Sequence, residues 1–555
     1  MSSMNSTITR RGFVAGAGIA AASTAVCAAA TAPAALADGA PVDDGAWTWP
    51  AKPEAVADSD IVETIEADVV IVGAGIAGLA TAASAAENGL SVVVLEQNED
   101  ISARGGHWGS ANSTYWKDAG VTQDPAEIAK DWIAQSNSRC DERLVWKFLN
   151  NSGAAIDWLG GLVEDAGGIV VLCGMGYQSY PYPEYKGTVA FIPPEGSELS
   201  LANMAQHTLF EHAQELGATF SFQQKAEQLV EEDGRIAGVI ASGADGLRRY
   251  LATVGVVMCT GDISGNEAMC RVLSPLAYRC NASQYTPVGA NMGDGQIMGK
   301  WVGALIEDAP FAPMIHPQGY SSLQGAQLIV NGRGERFMNE GTWCQGRSLE
   351  ILNQPGHLGY AWVVFGGDVD AWAQNMYEGL QYGGGMFWDT AGAGFDPETG
   401  TTTTTAEYYP SALQKDLDNG IHTWKFDTLD EAAAHMEVDA ATLRATVERY
   451  NELCEKGVDE DFGKDAHFLY PVAPEGPFYV AKVGPARMVC PGGMVIDPDS
   501  RVLNEDREPI PGLYAVGNCS GGLYAVDYPL VICGNSHGRC VTFGHLLGKY
   551  LAEQK

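Results

Sequence analysis

The chain has 555 residues, 46% of them hydrophobic, and a formal net charge of −36. That length and apolar content support two or three packed domains and exclude a chain disordered beyond its N-terminus. The acidity argues against nucleic acid or an anionic membrane surface as a partner, because like charges repel at long range; it suits solubility, or docking to a basic electron carrier.

Residues 1–37 read as a twin-arginine export signal. Thr9-Arg-Arg-Gly-Phe-Val14 precedes a weakly apolar Ala/Gly stretch, and Ala35-Leu-Ala37 forms an A-x-A cleavage site before Asp38. The expected location is extracytoplasmic, periplasmic or at the cell surface. A retained membrane helix is the other reading, and the poor hydrophobicity of the stretch argues against it. Residues 38–63, rich in Pro, Ala, Asp and Gly, read as an exposed linker, with the fold beginning near Ile65.

The run Asp68-Val-Val-Ile-Val-Gly-Ala-Gly-Ile-Ala-Gly78 is an apolar strand entering a glycine turn and an Ala-rich helix, and a second strand ends at Glu96. This is a βαβ unit. Gly73, Gly75 and Gly78, with Ala77 beside them, allow a tight turn, a close backbone approach to a pyrophosphate and close helix packing; the helix N-terminus favours the negative charge. Glu96, about 20 residues on, suits a ribose diol. Residues 64–310 then read as the first part of a dinucleotide-binding domain, with strands expected at Arg235–Ala241 and up to Thr260. Inside it, Tyr177, Tyr180, Tyr182 and Tyr185 form an aromatic, Pro-punctuated loop. Phenols there could exchange protons with a substrate, or wall a flat ligand.

Residues 311–482 change in texture and read as an inserted α+β capping domain. Thr428-Leu-Asp-Glu431 is a capping box; Leu443, Val447, Tyr450 and Cys454 recur at helical spacing; Thr401–Thr405 is a loop or short strand. Residues 483–555 return to the first domain through Pro509-Ile-Pro-Gly-Leu-Tyr-Ala-Val-Gly-Asn518. A C-terminal strand that comes back to the first βαβ unit selects a flavin dinucleotide over NAD, so FAD is the expected cofactor and Gly517 and Asn518 are expected to bind it. The fold class is α/β, a Rossmann-like FAD-binding domain with an inserted cap.

The 12 cysteines, Cys27 among them in the signal, form no C-x-x-C pair, so no metal site is expected. They read as small core residues, with disulfides open. The lack of C-x-x-C-H excludes a covalent c-type haem, so electrons for a reduction would come from a separate carrier, a cytochrome or a quinol-linked protein.

With Thr542-Phe-Gly544, Thr260-Gly-Asp262, Gly293-Asp-Gly295, Asn331-Gly-Arg-Gly-Glu-Arg-Phe-Met-Asn-Glu340, Thr446-Val-Glu-Arg-Tyr-Asn451 and Asp459-Glu-Asp-Phe-Gly463, the chain resembles the flavoprotein superfamily of fumarate reductases and 3-ketosteroid dehydrogenases over residues 65–550. The resemblance implies hydride transfer between flavin N5 and a carbon of the substrate, bound between the FAD domain and the cap. It also implies cofactor contacts from Gly105, Gly106, His107, Ser110, Thr260, Gly261 and Asp294, with Ser113 a further hydroxyl donor. His107 reads as a pyrophosphate or flavin contact, or as a covalent flavin link.

The fumarate-type signature is largely replaced. Cys344 stands where the resemblance places the proton-donating arginine, Met488-Val-Cys-Pro-Gly-Gly493 lacks the expected histidine, and only His316 survives; Arg347 reads as a relocated carboxylate grip or a surface salt bridge. Tyr528-Pro529 with Gly534 instead resembles the ketosteroid dehydrogenase pair that donates hydrogen bonds to a ketone oxygen, with two extra residues between them. Tyr528 is otherwise a packed tyrosine. The expectation is an FAD-dependent ene-reductase acting on a small neutral, steroid-like enone. The alternatives are ketosteroid-type dehydrogenation, reduction of a carboxylated acceptor such as fumarate, urocanate or a cinnamate, and a noncatalytic electron relay.

Overall fold

The computed structural model describes residues 47–102, 105–173, 185–280, 282–283, 287–316, 326–342, 344–356, 358–381, 393–396, 401–404 and 408–555. In chain order the elements that position the site begin with β1 (Ile61–Val72), α1 (Ile76–Glu87), β2 (Val92–Leu95), β3 (Thr219–Ser221), β4 (Lys225–Glu232), β5 (Arg235–Gly243) and β6 (Gly246–Met258). The cap supplies β7 (Leu328–Val330), α2 (Cys344–Leu352), β8 (Ala361–Gly366), β9 (Thr423–Phe426), α3 (Leu429–Met436), α4 (Ala440–Lys456) and β10 (Phe478–Val483). The chain closes with β11 (Arg501–Leu503), β12 (Pro509–Ala515) and α5 (Asn535–Glu553).

The main sheet runs β11–β12–β6–β1–β2–β3, with β4 and β5 continuing as a meander off β6. β1 is parallel to β2, with Val70 opposite Val93, and to β6, with Val70 opposite Val256; β12 is parallel to β6, with Tyr514 opposite Val257. Val69 to Val72 are buried on both faces, as an uninterrupted apolar run in a parallel strand requires. The returning C-terminal strand therefore enters the same sheet as the first βαβ unit.

Small side chains let α1 and α5 approach closely. A Cβ on Gly548 would lie 2.5 Å from the Ala85 nitrogen, and the Ser84 hydroxyl donates to the His545 carbonyl at 2.7 Å. The Ala-rich composition of α1 is thus a packing requirement, since it is buried against the sheet and α5 together.

The cap is built on an antiparallel sheet, β7–β8–β10–β9. Alternate residues face opposite layers: Ala361, Val363 and Phe365 pack on one side with Tyr479 and Ala481, while Trp362, Val364, Phe478 and Val480 pack on the other against α3 and α4. The Thr428 capping box forms, and Leu443, Val447 and Tyr450 are buried on one face of α4. Thr401–Thr404 is a strand, parallel to Ile169–Cys173 of the first domain.

Residues 51–60 are exposed apart from Val56. β1 starts at Ile61, and the segment before it is pinned: Trp47 and Trp49 pack on a core cluster with Ile263 and Phe311, the Trp301 indole donates to the Pro50 carbonyl at 2.8 Å, and Arg249 pairs with Asp58 at 2.5 Å. The Pro- and Asp-rich composition hid this because the anchors are side chains distant in sequence.

Two sequence motifs of the cap turn out to be one buried charge cluster. Arg336 donates to Glu340 and to Asp459, at 2.9 and 2.7 Å, and the Lys464 ammonium reaches Glu340 at 3.1 Å and the Tyr450 hydroxyl at 2.8 Å. The four charges balance inside the protein. The Asn331–Glu340 and Asp459–Gly463 motifs are scaffold.

Candidate active site

A cleft opens where the carboxyl ends of the parallel strands converge, the position at which doubly wound sheets bind ligands. Residues following β1 (Gly73, Gly75, Ala77), β2 (Glu96, Gln97, Asn98), β6 (Cys259, Thr260, Gly261, Asp262) and β12 (Val516, Asn518) all line it. Gly105, Gly106, His107 and Asp294 line it too, as do Tyr528 and Gly534. Sequence positions more than four hundred residues apart therefore share one cavity wall.

Each glycine of the turn has its own reason. Gly73 has φ of 108° and a Cβ there would lie 2.4 Å from the Cys259 carbonyl oxygen; one on Gly78 would lie 1.9 Å from the Gly73 oxygen. Gly75, the N-cap of α1, has nothing within 4 Å of its ideal Cβ. Its open side is the cleft, so the missing side chain leaves room for a ligand at the helix N-terminus. Glu96 is 5% exposed and its Oε2 accepts the Ala74 N–H at 2.9 Å, while Oε1 accepts from Asn98 at 2.7 Å. This donor and glycine set fits the pyrophosphate and ribose of FAD.

Behind the cleft, Gly517 has φ of 83° and lies against Ala77, where a Cβ would be 2.8 Å from that methyl. Asp294 opens a helix after Gly293 and pairs with Lys225 at 3.7 Å. His107 is buried, and burial lowers its pKa to about 4, so it is neutral. Ser110 is buried behind the cleft lining, where its hydroxyl donates to the Gly187 carbonyl at 3.3 Å. Ser113 is buried in the core.

On the substrate side, Tyr528 is 1% exposed and its hydroxyl oxygen accepts the Ser536 N–H at 2.9 Å, in the first turn of α5. Gly534 is the N-cap of α5, with φ of 73°, and a Cβ there would lie 2.5 Å from the His107 carbonyl oxygen. The segment between them is held by Asn535, whose amide donates to the Pro529 and Ile532 carbonyls at 2.6 and 2.9 Å. The tyrosine hydroxyl thus still reaches the start of the helix that Gly534 caps. Burial pushes the phenol pKa well above its ordinary value, so it remains a donor.

His316 sits outside the cleft lining, fully buried on the strand Met314–His316, whose Met314 does line it. Burial, and then the nearby Arg347, lower its pKa to about 3. Arg347 is 3% exposed, so it is no surface salt bridge. Tyr177, Tyr180 and Tyr182 lie outside the described residues; Tyr185 is described, and its hydroxyl donates to Asp131 at 2.7 Å.

Several site residues had no sequence signal. His537 lines the cleft and bonds the His107 carbonyl through Nδ1 at 2.8 Å; Glu307 ties two loops by accepting the Gly493 and Gly522 N–H groups at 3.1 and 2.8 Å; Cys259, Cys533 and Cys540 place three thiols along the cleft wall. Among the described residues no disulfide joins two cysteines.

Fold and cleft together define a flavin-dependent oxidoreductase. The family model for the FAD binding domain matches residues 68–536, and the chain belongs to that family. It is 25% identical to a vinyl phenol reductase of Lactiplantibacillus plantarum over 88% of this chain and 96% of the relative. It is 27% identical to a urocanate reductase of Eggerthella lenta over 85% and 73%, and 28% identical to a 3-oxosteroid 1-dehydrogenase of Mycolicibacterium smegmatis over 87% and 96%. A 3-ketosteroid-Δ4-(5α)-dehydrogenase structure from Rhodococcus jostii aligns with a TM-score of 0.67 at 23% identity, covering 89% of this chain and 99% of that one, and shares the fold. The protein is an FAD-dependent oxidoreductase acting on carbon–carbon bonds.

Proposed function

We propose that this protein reduces a carbon–carbon double bond conjugated to a carbonyl in a neutral, ring-bearing enone. The observation that carries the reading is the pairing of Tyr528 and Gly534 on the wall of the cofactor cleft, with the tyrosine hydroxyl at the first turn of the helix that Gly534 caps. Bound FAD supplies or accepts the hydride. The chain's own part is to bind the carbonyl: Tyr528 O–H and Gly534 N–H are the donors that stabilise negative charge developing on its oxygen. The Ser536 N–H donating to the phenol oxygen polarises its O–H bond and strengthens that donation. A neutral ketone calls for donors of this kind, whereas a carboxylate calls for arginine.

A second reading rests on Arg347, buried beside His316 on the cap side, and on the likeness to a urocanate reductase: the acceptor then carries a carboxylate. Anaerobic reoxidation of the reduced protein against enones, steroids and unsaturated acids separates the two. Reoxidation by enones and steroids supports the first, and reoxidation by unsaturated acids alone overturns it. Twin-arginine export, cleavage before Asp38 and delivery of electrons by a separate carrier complete the proposal. Replacing Arg10 and Arg11 with lysine should retain the protein in the cytoplasm; unchanged export would refute that part.

A further inference from the structure

Reducing a double bond takes a proton as well as a hydride, and the residues treated so far supply donors to the carbonyl oxygen only. The loop that carries Tyr528 meets the cap helix α2 through a side-chain contact between the Asp527 Oδ1 and the Gln345 amide. The same Oδ1 accepts the Tyr528 N–H at 2.8 Å, and the Gln345 Oε1 accepts the Ile315 N–H at 3.2 Å, beside His316. Asp527 Oδ2 makes no hydrogen bond among the described residues. Asp527 keeps accessible surface and adjoins Tyr528, which lines the cleft, while Asp527 itself stands just behind that lining.

We propose that Asp527 is the proton donor of this site. The inference rests on the reaction at a carbon–carbon bond, and holds for an enone or an acid alike. The hydride adds to one alkene carbon, the π pair forms a C–H bond at the other with the Asp527 carboxyl proton, and the carboxylate left behind is reprotonated from solvent. Asp527 immediately precedes the carbonyl-binding Tyr528, and its partner Gln345 follows Cys344, the position where the resemblance places the family's donor arginine.

The surroundings keep about half of the acid protonated at neutral pH. Burial raises its pKa to about 7, the Tyr528 N–H pulling weakly the other way. The groups facing this junction are Gln345 and Arg347 from α2, His316 from its strand, Tyr524 and Tyr528 from the loop, and Trp132 and Gln135, which donate to and accept from that loop. His316 is held neutral, and of these groups only Arg347 carries a charge.

The test compares the flavin-loaded wild type with Asp527→Asn and Asp527→Glu, using whichever acceptor reoxidises the wild type. Asparagine keeps the acceptor oxygen toward Tyr528 and Gln345 and removes the proton. Reoxidation should fall about 100-fold or more in Asp527→Asn with FAD content unchanged, and Asp527→Glu should recover part of it. Wild-type reduction should decline as pH rises through about 7, a limb absent from Asp527→Asn. Unfolding gives a readout independent of turnover: a raised carboxyl pKa means stability is lost as pH climbs through about 7, and Asp527→Asn should flatten that loss. Asparagine activity within threefold of wild type, or an unchanged basic limb, overturns the proposal. Reoxidation by acids alone would overturn the enone reading and leave this test intact.

Discussion

Tyr528 and Gly75 are the two residues whose roles separate most cleanly from folding. Tyr528→Phe removes the hydroxyl that accepts the Ser536 N–H and that the proposed function makes a carbonyl donor, so its loss should lower the reoxidation rate by about 100-fold, the scale of a lost oxyanion donor, with FAD still bound. Rapid-mixing flavin absorbance measures both. Gly75→Ala meets no protein atom within 4 Å, so the apoprotein should keep wild-type stability while FAD affinity collapses; equilibrium dialysis against an unfolding curve checks the split. His107 and His316 carry a pH prediction. Their folded pKa values, about 4 and about 3, lie below the ordinary 6.5, so the fold holds them neutral. Stability is full above pH 6.5 and falls as acid protonates the unfolded chain first. At pH 5 the loss is roughly 2 kcal/mol per histidine, and His107→Gln should lessen it in urea titrations.

Among the elements, the cap's charge cluster is the most exposed to mutation. Arg336→Met leaves Glu340 and Asp459 buried with one cation, Lys464, between them, and should cost about 3–5 kcal/mol by thermal or urea unfolding. The cap's helices were legible from sequence because Thr428, Glu431 and the Leu443 to Tyr450 spacing are local signals. The first βαβ unit was legible for the same reason, its strand, glycines and helix lying within one short segment. What escaped was contact between distant segments. Nothing near Arg336 announces Asp459, nothing in a Pro-rich linker announces the Trp301 indole, and nothing near Tyr528 announces Gln345.

At the scale of the molecule, one sheet gathers the ends of four parallel strands around the cleft and hangs the cap on segments that leave and re-enter it. On the proposed reading the substrate side forms where the Tyr528 loop meets α2, whereas the cofactor cleft is lined mainly by the ends of the parallel strands. The three cleft-wall thiols turn that division into an instrument. Cys259, Cys533 and Cys540 stand where FAD would cover them, and burial holds the Cys259 pKa well above its usual value, keeping it an unreactive thiol. An alkylating reagent should therefore spare Cys259 and mark Cys533 and Cys540 only in molecules that have shed their flavin. Peptide mass spectrometry of the adducts would then count vacant enzyme directly, making cysteine chemistry a clock for cofactor escape.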